Sequence, residues 1–512
     1  MVAVASDGKE ELVLVPIALC GAVVVVGLAK LCPIIKGHGI PESLEAILFR
    51  ESRITPRAAL AKPISAAVAM GTGGPFGAEG PIIVTGASIG SLIGQLLPVS
   101  AAERRILLAA GAAAGMAGVF ATPVAAVILP FELLVFERSL RALLPLCVAT
   151  AVATGLHELL IGTHPLFPLD YIPHAPPVQL PLFAVVGLAA GILAVVLNLG
   201  LFAVEDTFRR LPVPEWSHPI IGALGYALIG LGVPGSLSVG YWAITDAVNG
   251  HFLLGTAAAL FVAKMFSWWL GLGSNTSGGT LAPMFLVGAC MGEMIGIGFT
   301  HVFPGAHIQP GAFALVGMGV TFGVGARALL IGVVFAAEVT GGFALLLPLL
   351  LATAVAEIVV EQVLSERIMT DKLFRRGFRV DFDTQTDPLR MRIAAAVMDP
   401  IPQDGAVSTA SSCTDPTVDR WAYLADALPY LLQPGCSRVA VTDHAKVVGY
   451  VTREHVDAEL RRRVSEEDIV PPTLKLPKLS LRARRIPADT STSTRSEAVA
   501  EEDQAERSRT RP

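Results

Sequence analysis

Glu79 has the clearest chemical prospects of any residue in this chain. It stands in Gly71–Gly94, GTGGPFGAEGPIIVTGASIGSLIG, a glycine-rich run that turns apolar and carries no charge after the glutamate. The pattern puts one carboxylate at the mouth of a helix. A helix start leaves several backbone N–H groups without intrahelical partners, and the aligned peptide dipoles add about half a positive charge there. Such an end attracts anions. A tethered carboxylate can take the anion's place, so Glu79 reads as a plug competing with a small mobile anion. In a soluble protein the same residue would read as a helix cap in a loop. Inside an apolar membrane segment, an ionisable side chain points to function.

Other chemistries find little footing. The six cysteines (Cys20, Cys32, Cys147, Cys290, Cys413 and Cys436) are scattered, with no CxxC pair. Four lie in apolar segments, where a thiol behaves as a small hydrophobe. Neither a metal nor a disulfide role is assigned to them. The histidines are dispersed, so no zinc or protease constellation forms. With no nucleophile–base set, the chain does not read as an enzyme, and no cofactor is expected. The net charge of −5 and the scattered basic residues give no sign of nucleic-acid binding.

The elements that must position Glu79 belong to a membrane. The chain is 53 % hydrophobic and 16 % charged, with a mean hydropathy of +0.62. Crossing about 30 Å of hydrocarbon takes about 20 apolar residues. Leu12–Ala29, Leu180–Val204, Met265–Gly292 and Val339–Ala356 are uncharged runs of that order, and Ala142–Gly155 is shorter. The first is expected to be a retained helix at 11–35, since no small-residue cleavage site follows it. A helix pair broken at Thr122-Pro123 is expected over 103–136, and long helices near 140–161 and 180–204. Elsewhere Gly and Pro interrupt the apolar text. Broken helices at membrane depth are tolerated only within protein or beside a cavity, where transporters place their sites. Lys264 stands alone in an apolar span, with snorkelling and an interior position both open.

An internal repeat reinforces this. Gly77-Ala-Glu-Gly-Pro81 is followed by Gly86, Gly90 and Gly94; Gly279-Thr-Leu-Ala-Pro283 is followed by Gly288, Gly292 and Gly296 at the same spacing. Glycines four apart line one helix face and let helices pack closely. Gly111 precedes Glu132 by 21 residues, and Gly317 precedes Glu338 by 21. Two matches in one order point to duplicated halves, about 11–205 and 217–375.

GHGIPE (37–42), GAEGP (77–81), LLAAGAAAGMAGVFATPVAA (107–126), GGTLAP (278–283) and FALVGMG (313–319) are similar to the signature segments of the CLC family of chloride channels and chloride/proton antiporters. The resemblance covers roughly residues 11–378. It implies an all-α polytopic membrane protein, an inverted-repeat bundle of tilted and re-entrant helices. It also implies a homodimer in the inner cell membrane with both termini cytoplasmic and one anion pathway per subunit. Glu79 matches the gating glutamate, which blocks the pathway when charged and carries protons in the antiporters. Gly37–Pro41 matches a segment lining the central anion, which brings His38, Gly39 and Ile40 to the site; Ala78 and Gly80 flank the gate. Thr280 and Leu281 match two residues whose backbone N–H groups hold the anion. Lys62 resembles a lysine near the pathway. Backbone amides and helix starts supply partial positive charge without trapping the ion, and weak multiple sites let it leave.

Several positions depart from the family pattern. Position 38 is His rather than Ser; it can donate an N–H and respond to pH, or turn away while amides bind. The central tyrosine should fall near Arg367–Thr370, where Met369 occupies the match. The inner proton-transfer glutamate should follow Glu132, and that position is Leu133. Glu132 could relay a proton by another route or be a structural carboxylate; its repeat partner Glu338 favours the latter. Channel against anion/proton exchanger stays open at this point, with the exchanger or pH-gated transporter preferred. Which anion moves, chloride or another small one, is not inherited.

After about Arg375 the text becomes soluble: residues 379–394 read as a linker, 395–460 as a small α/β domain, and 461–512 as a disordered tail, after a short lead at 1–10. Arg438–Thr452 reads as strand, turn, strand, with a helix to follow. With AAAVMDP at 394–400 it is similar to one CBS motif. The ribose-binding Asp of that motif is replaced by His455, so a structural or dimerising role is expected rather than nucleotide binding. The alternative for the whole chain is a membrane sensor or scaffold that lost transport through His38 and Met369 and signals through this domain.

Overall fold

In the computed structural model, the described residues are 13–32, most of 52–364, and most of 394–467. Isolated positions such as Ile35, Gly39, Ser43, Ala46, Ile47, Arg367 and Ile368 are also described. The expected lead at 1–10, most of the linker, and residues 468–512 fall outside them. So do His38, Ile40 and Met369.

Helices dominate. The first half holds α1 (Leu14–Leu31), α2 (Pro56–Gly71), α3 (Glu79–Leu96), α4 (Ala101–Phe120), α5 (Pro123–Leu133) and α6 (Leu140–Leu160). Then come α7 (Leu180–Arg210), α8 (His218–Gly232), α9 (Tyr241–Val248), α10 (Leu254–Gly273), α11 (Leu281–Val302), α12 (Pro310–Ala326), α13 (Leu329–Thr340) and α14 (Leu346–Val363). Six described helices are long and apolar enough to cross a bilayer. The chain is a membrane protein.

Two of the uncharged runs do not make single spans. Met265–Gly292 contains the end of α10, an irregular stretch and the start of α11; Val339–Ala356 is divided between α13 and α14. Charge alone could not reveal these breaks. Left-handed backbone does: Asn275 has φ 66° and Gly341 has φ 73°, conformations that end helices. The break at Thr122-Pro123 has the same origin, with Ala121 at φ 51° closing α4 and Pro123 opening α5.

The glycine ladders make the tightest contacts. A methyl group on Gly86 would overlap the Gly111 carbonyl, and one on Gly90 would overlap the Leu107 carbonyl. Gly94 lies against Arg104. In the second half Gly288 meets Gly317, Gly292 meets Phe313 and Gly296 meets Pro310. Helices α3 and α4 form one close pair and α11 and α12 the other, each brought backbone to backbone by small residues. The Phe76 ring fills the space against Gly271 and Gly278 and is fully buried. It ties the loop before α3 to the loop before α11.

The C-terminal part is a four-stranded sheet in the order β1-β4-β3-β2, from β1 (Asp399–Pro400), β2 (Thr417–Asp419), β3 (Arg438–Asp443) and β4 (Lys446–Thr452). The β3–β4 and β1–β4 pairs are antiparallel and β2–β3 is parallel. Leu424, Ala427, Leu431, Val439, Val441 and Val451 share its core. The helix after β4 runs Arg453–Glu467, beyond the boundary placed at 460. At its start, His455 Nδ1 accepts the Thr452 N–H at 3.1 Å, and its Nε2 lies 3.4 Å from Asp399. His455 is thus occupied in capping the start of that helix.

Candidate functional site: two converging helix starts

The loops before α3 and α11 meet. Gly77 donates its N–H to the Gly279 carbonyl at 3.2 Å, and Gly279 donates to the Gly77 carbonyl at 2.8 Å. This two-bond bridge joins equivalent positions of the two halves and points two helix N-termini at one place.

Glu79 opens α3, and its side chain reaches across to the other helix. Oε1 accepts the N–H of Leu281 in a short hydrogen bond and that of Ala282 at 3.4 Å. Glu79 is 3 % exposed, and its Oε2 is buried with no hydrogen-bond partner among the described residues. A carboxylate thus sits where two consecutive backbone N–H groups and the dipole of a 22-residue helix favour negative charge. Glycine is required around it. A Cβ on Gly77 would strike the carboxylate, and one on Gly279 would strike both Oε1 and the Gly77 carbonyl.

The other candidate residues distribute around this point. Gly39 has φ 100°, and a Cβ there would come within 2.8 Å of the Gly80 carbonyl oxygen. Gly39 itself therefore lies against the first turns of α3. The Ala78 carbonyl accepts the Ile82 N–H, and the Thr280 carbonyl accepts the Met284 N–H, each opening its helix. Leu281 holds Glu79; no bond from the Thr280 N–H to Glu79 accompanies it among those described. Ala282 was not singled out from sequence, although it is the next N–H exposed at the same helix start. Asn198 and Arg367 pin the chain just ahead of position 369, through Ile368 N–H to Asn198 Oδ1 at 2.8 Å and Arg367 to the Val324 carbonyl at 2.9 Å.

Lys264 is fully buried, which resolves its two sequence readings in favour of the interior. Its Nζ donates to the carbonyls of Ser238 at 2.6 Å, Ser236 at 3.2 Å and Val239 at 3.4 Å, and it lies within electrostatic range of Glu79. Lys62 is also buried and donates to the Ile35 carbonyl at 2.7 Å. The two lysines are 202 positions apart, the separation of Gly77 from Gly279. They are equivalent residues of the repeat, each gripping the turn after an equivalent helix, α1 or α8.

Glu132 stands away from this centre. Its carboxylate accepts the N–H groups of Leu330 and Ile331 at 2.9 and 3.0 Å. Leu133 beside it is buried.

The sequence profile described as "Voltage gated chloride channel" matches residues 20–361. The chain is 29 % identical over 344 residues to the H(+)/Cl(-) exchange transporter ClcA of Yersinia pestis bv. Antiqua (strain Angola), covering 65 % of this chain and 71 % of the relative. Identity is 28 % over 384 residues with the ClcA of Vibrio campbellii, covering 73 % and 82 %. A solved slow cyanobacterial Cl-/H+ antiporter superposes with a TM-score of 0.64 at 27 % identity, covering 72 % of this chain and 87 % of that one. With a match spanning most of the helical region, and helices that pair as described, the chain belongs to the voltage-gated chloride channel family, the CLC family.

Proposed function

We propose that this protein carries chloride or a similar small anion across a membrane in exchange for protons, with Glu79 as the gate. The observation that carries this reading is the seat of the Glu79 carboxylate on the Leu281 and Ala282 N–H groups. A charged Glu79 fills that seat. Protonation removes the charge that the two amides and the helix dipole hold, so the side chain can leave and an anion can enter. The similarity to proteins named as H(+)/Cl(-) exchangers supports proton coupling over a passive channel. The protein works as a homodimer in the inner membrane with one pathway per subunit, as the family resemblance implies.

A passive channel is the second reading, favoured by one observation. Leu133 offers no carboxyl, and both oxygens of Glu132 are taken by Leu330 and Ile331. Anion efflux from proteoliposomes with lumenal pH recorded in parallel separates the two. Proton movement driven by a chloride gradient in wild type and abolished in Glu79→Gln establishes exchange. Anion flux without proton movement establishes the channel.

A further inference from the structure

Glu293 lies on α11 about three turns beyond Leu281 and is fully buried. Its Oε1 accepts the Phe252 N–H at 2.8 Å. Its Oε2 is buried and has no hydrogen-bond partner among the described residues.

The repeat shows what a purely structural group does at this place. The equivalent position, 202 residues earlier, is Ser91. Its hydroxyl accepts the Ile54 N–H at 3.0 Å and donates to the Ser52 carbonyl at 2.6 Å. Ile54 lies just ahead of α2 and Phe252 just ahead of α10. Both side chains therefore hold one backbone N–H at the entrance to equivalent helices, and a hydroxyl is enough for that task. Glu293 brings a second oxygen that the task does not use. Burying a carboxylate oxygen without a partner is costly, and binding a proton removes the charge that makes up most of that cost.

The groups around it form a graded series. Asp246 is within electrostatic range of Glu293. Asp246 Oδ1 lies 3.7 Å from His251 Nδ1, and His251 Nε2 lies 3.7 Å from Asp170 Oδ2. The side chains of Asp170 and His251 are 68 % and 53 % exposed. Toward the interior, α9 carries Asp246 near its end and Tyr241 at its start. The Tyr241 hydroxyl is buried without a described partner and lies within electrostatic range of Glu79. Among the described residues few other titratable groups lie on the elements packed here; one is Tyr171, whose hydroxyl is buried against Gly311 of α12. Cys290 is one turn away on α11, and α12 has no titratable side chain. Lys264 of α10 is engaged with carbonyls. Glu205 of α7 lies beside Gly273, at the far end of α10 from Phe252.

We propose that Glu293 is a second proton-binding carboxylate of the transport cycle. It takes protons from the face carrying Asp170, Asp246 and His251 and passes them toward Glu79 along α9. Oε2 gains one proton, becoming a neutral acid, and releases the same proton, so nothing is consumed. The proposal rests on the exchange reading above.

The test uses the full chain in proteoliposomes with chloride as the probe, following anion and proton fluxes together for wild type, Glu293→Ser and Glu293→Gln. Serine installs the group found at this place in the first half, and glutamine keeps a side-chain oxygen at the length that accepts the Phe252 N–H. Glutamine preserves the shape if serine fails to reconstitute. The expected result is retained chloride flux with proton flux lowered about tenfold or more in both variants. A wild type that couples protons, with variants of unchanged proton-to-anion ratio, overturns the role of Glu293 alone. A wild type that moves no protons overturns the exchange reading and this proposal with it.

Discussion

Glu132 and Glu338 exchange places as helix caps. Glu132, near the end of α5, accepts the first N–H groups of α13 at Leu330 and Ile331. Glu338, near the end of α13, accepts those of α5 at Val124 and Ala125, at 3.0 and 2.8 Å. Each carboxylate neutralises the positive end of the other half's helix. This relationship predicts that Glu132→Ala and Glu338→Ala behave alike. Each should cost about 1–3 kcal/mol in thermal unfolding of the purified protein. The ratio of protons to anions in Glu132→Ala should stay at the wild-type value. A fall in that ratio would instead make Glu132 a relay.

The second prediction concerns the gate. Below the titration of Glu79 its carboxyl is neutral and leaves the Leu281 and Ala282 amides to an anion; above it, the charged group competes. Wild-type anion flux should therefore rise as pH falls. Glu79→Gln should be flat with pH and as fast at neutral pH as wild type in acid. A steep pH profile that survives in Glu79→Gln would place the pH sensor elsewhere.

The third prediction uses the space around the carboxylate. In Gly77→Ala the new methyl overlaps the position of the Glu79 carboxylate, and overpacking of this kind costs about 1–3 kcal/mol. The side chain is the movable partner, so it should be expelled from its seat. Gly77→Ala should then raise anion flux at neutral pH and flatten its pH dependence. In a Glu79→Ala background the added methyl meets no carboxylate and should change flux little. An equal effect in both backgrounds would mean that the backbone bridge, rather than Glu79, responds.

What could be read from the sequence followed from repeated local patterns. The ladder Gly86-Gly90-Gly94 and its copy mark close helix faces because only small residues allow backbone contact. Glu79 stands out because a charge in apolar text needs a reason. Its partner across the fold is different. Nothing near Leu281 and Ala282 in the chain shows that a carboxylate about 200 residues away completes their helix start. The run Met265–Gly292 looked continuous because hydropathy does not register backbone torsion; Asn275 ends the helix by its left-handed turn. Glu293 draws no notice in the sequence, since a single acid closing an uncharged run is ordinary until its counterpart, Ser91, shows that its second oxygen is surplus. His455 was visible as a substitution, but its bond to Thr452 depends on the register of β4 against the helix that follows.

The last prediction separates charge from architecture at Lys264. This lysine satisfies carbonyls on both sides of Leu237, the repeat counterpart of Ile35, to which Lys62 donates. Lys264→Met removes the donors, and leaving a buried acceptor unpaired costs about 1–3 kcal/mol. The thermal midpoint without chloride should fall. If the lysine also contributes positive potential to the anion seat, the stabilisation gained by adding chloride should shrink, by about 1.4 kcal/mol for each tenfold loss of affinity at saturating anion. Titrating chloride against the thermal midpoint reads both effects in one experiment. A lower midpoint with an unchanged chloride response would confine Lys264 to holding the turn. A lower midpoint with a diminished response would make the buried cation part of the electrostatics by which the two helix starts attract an anion.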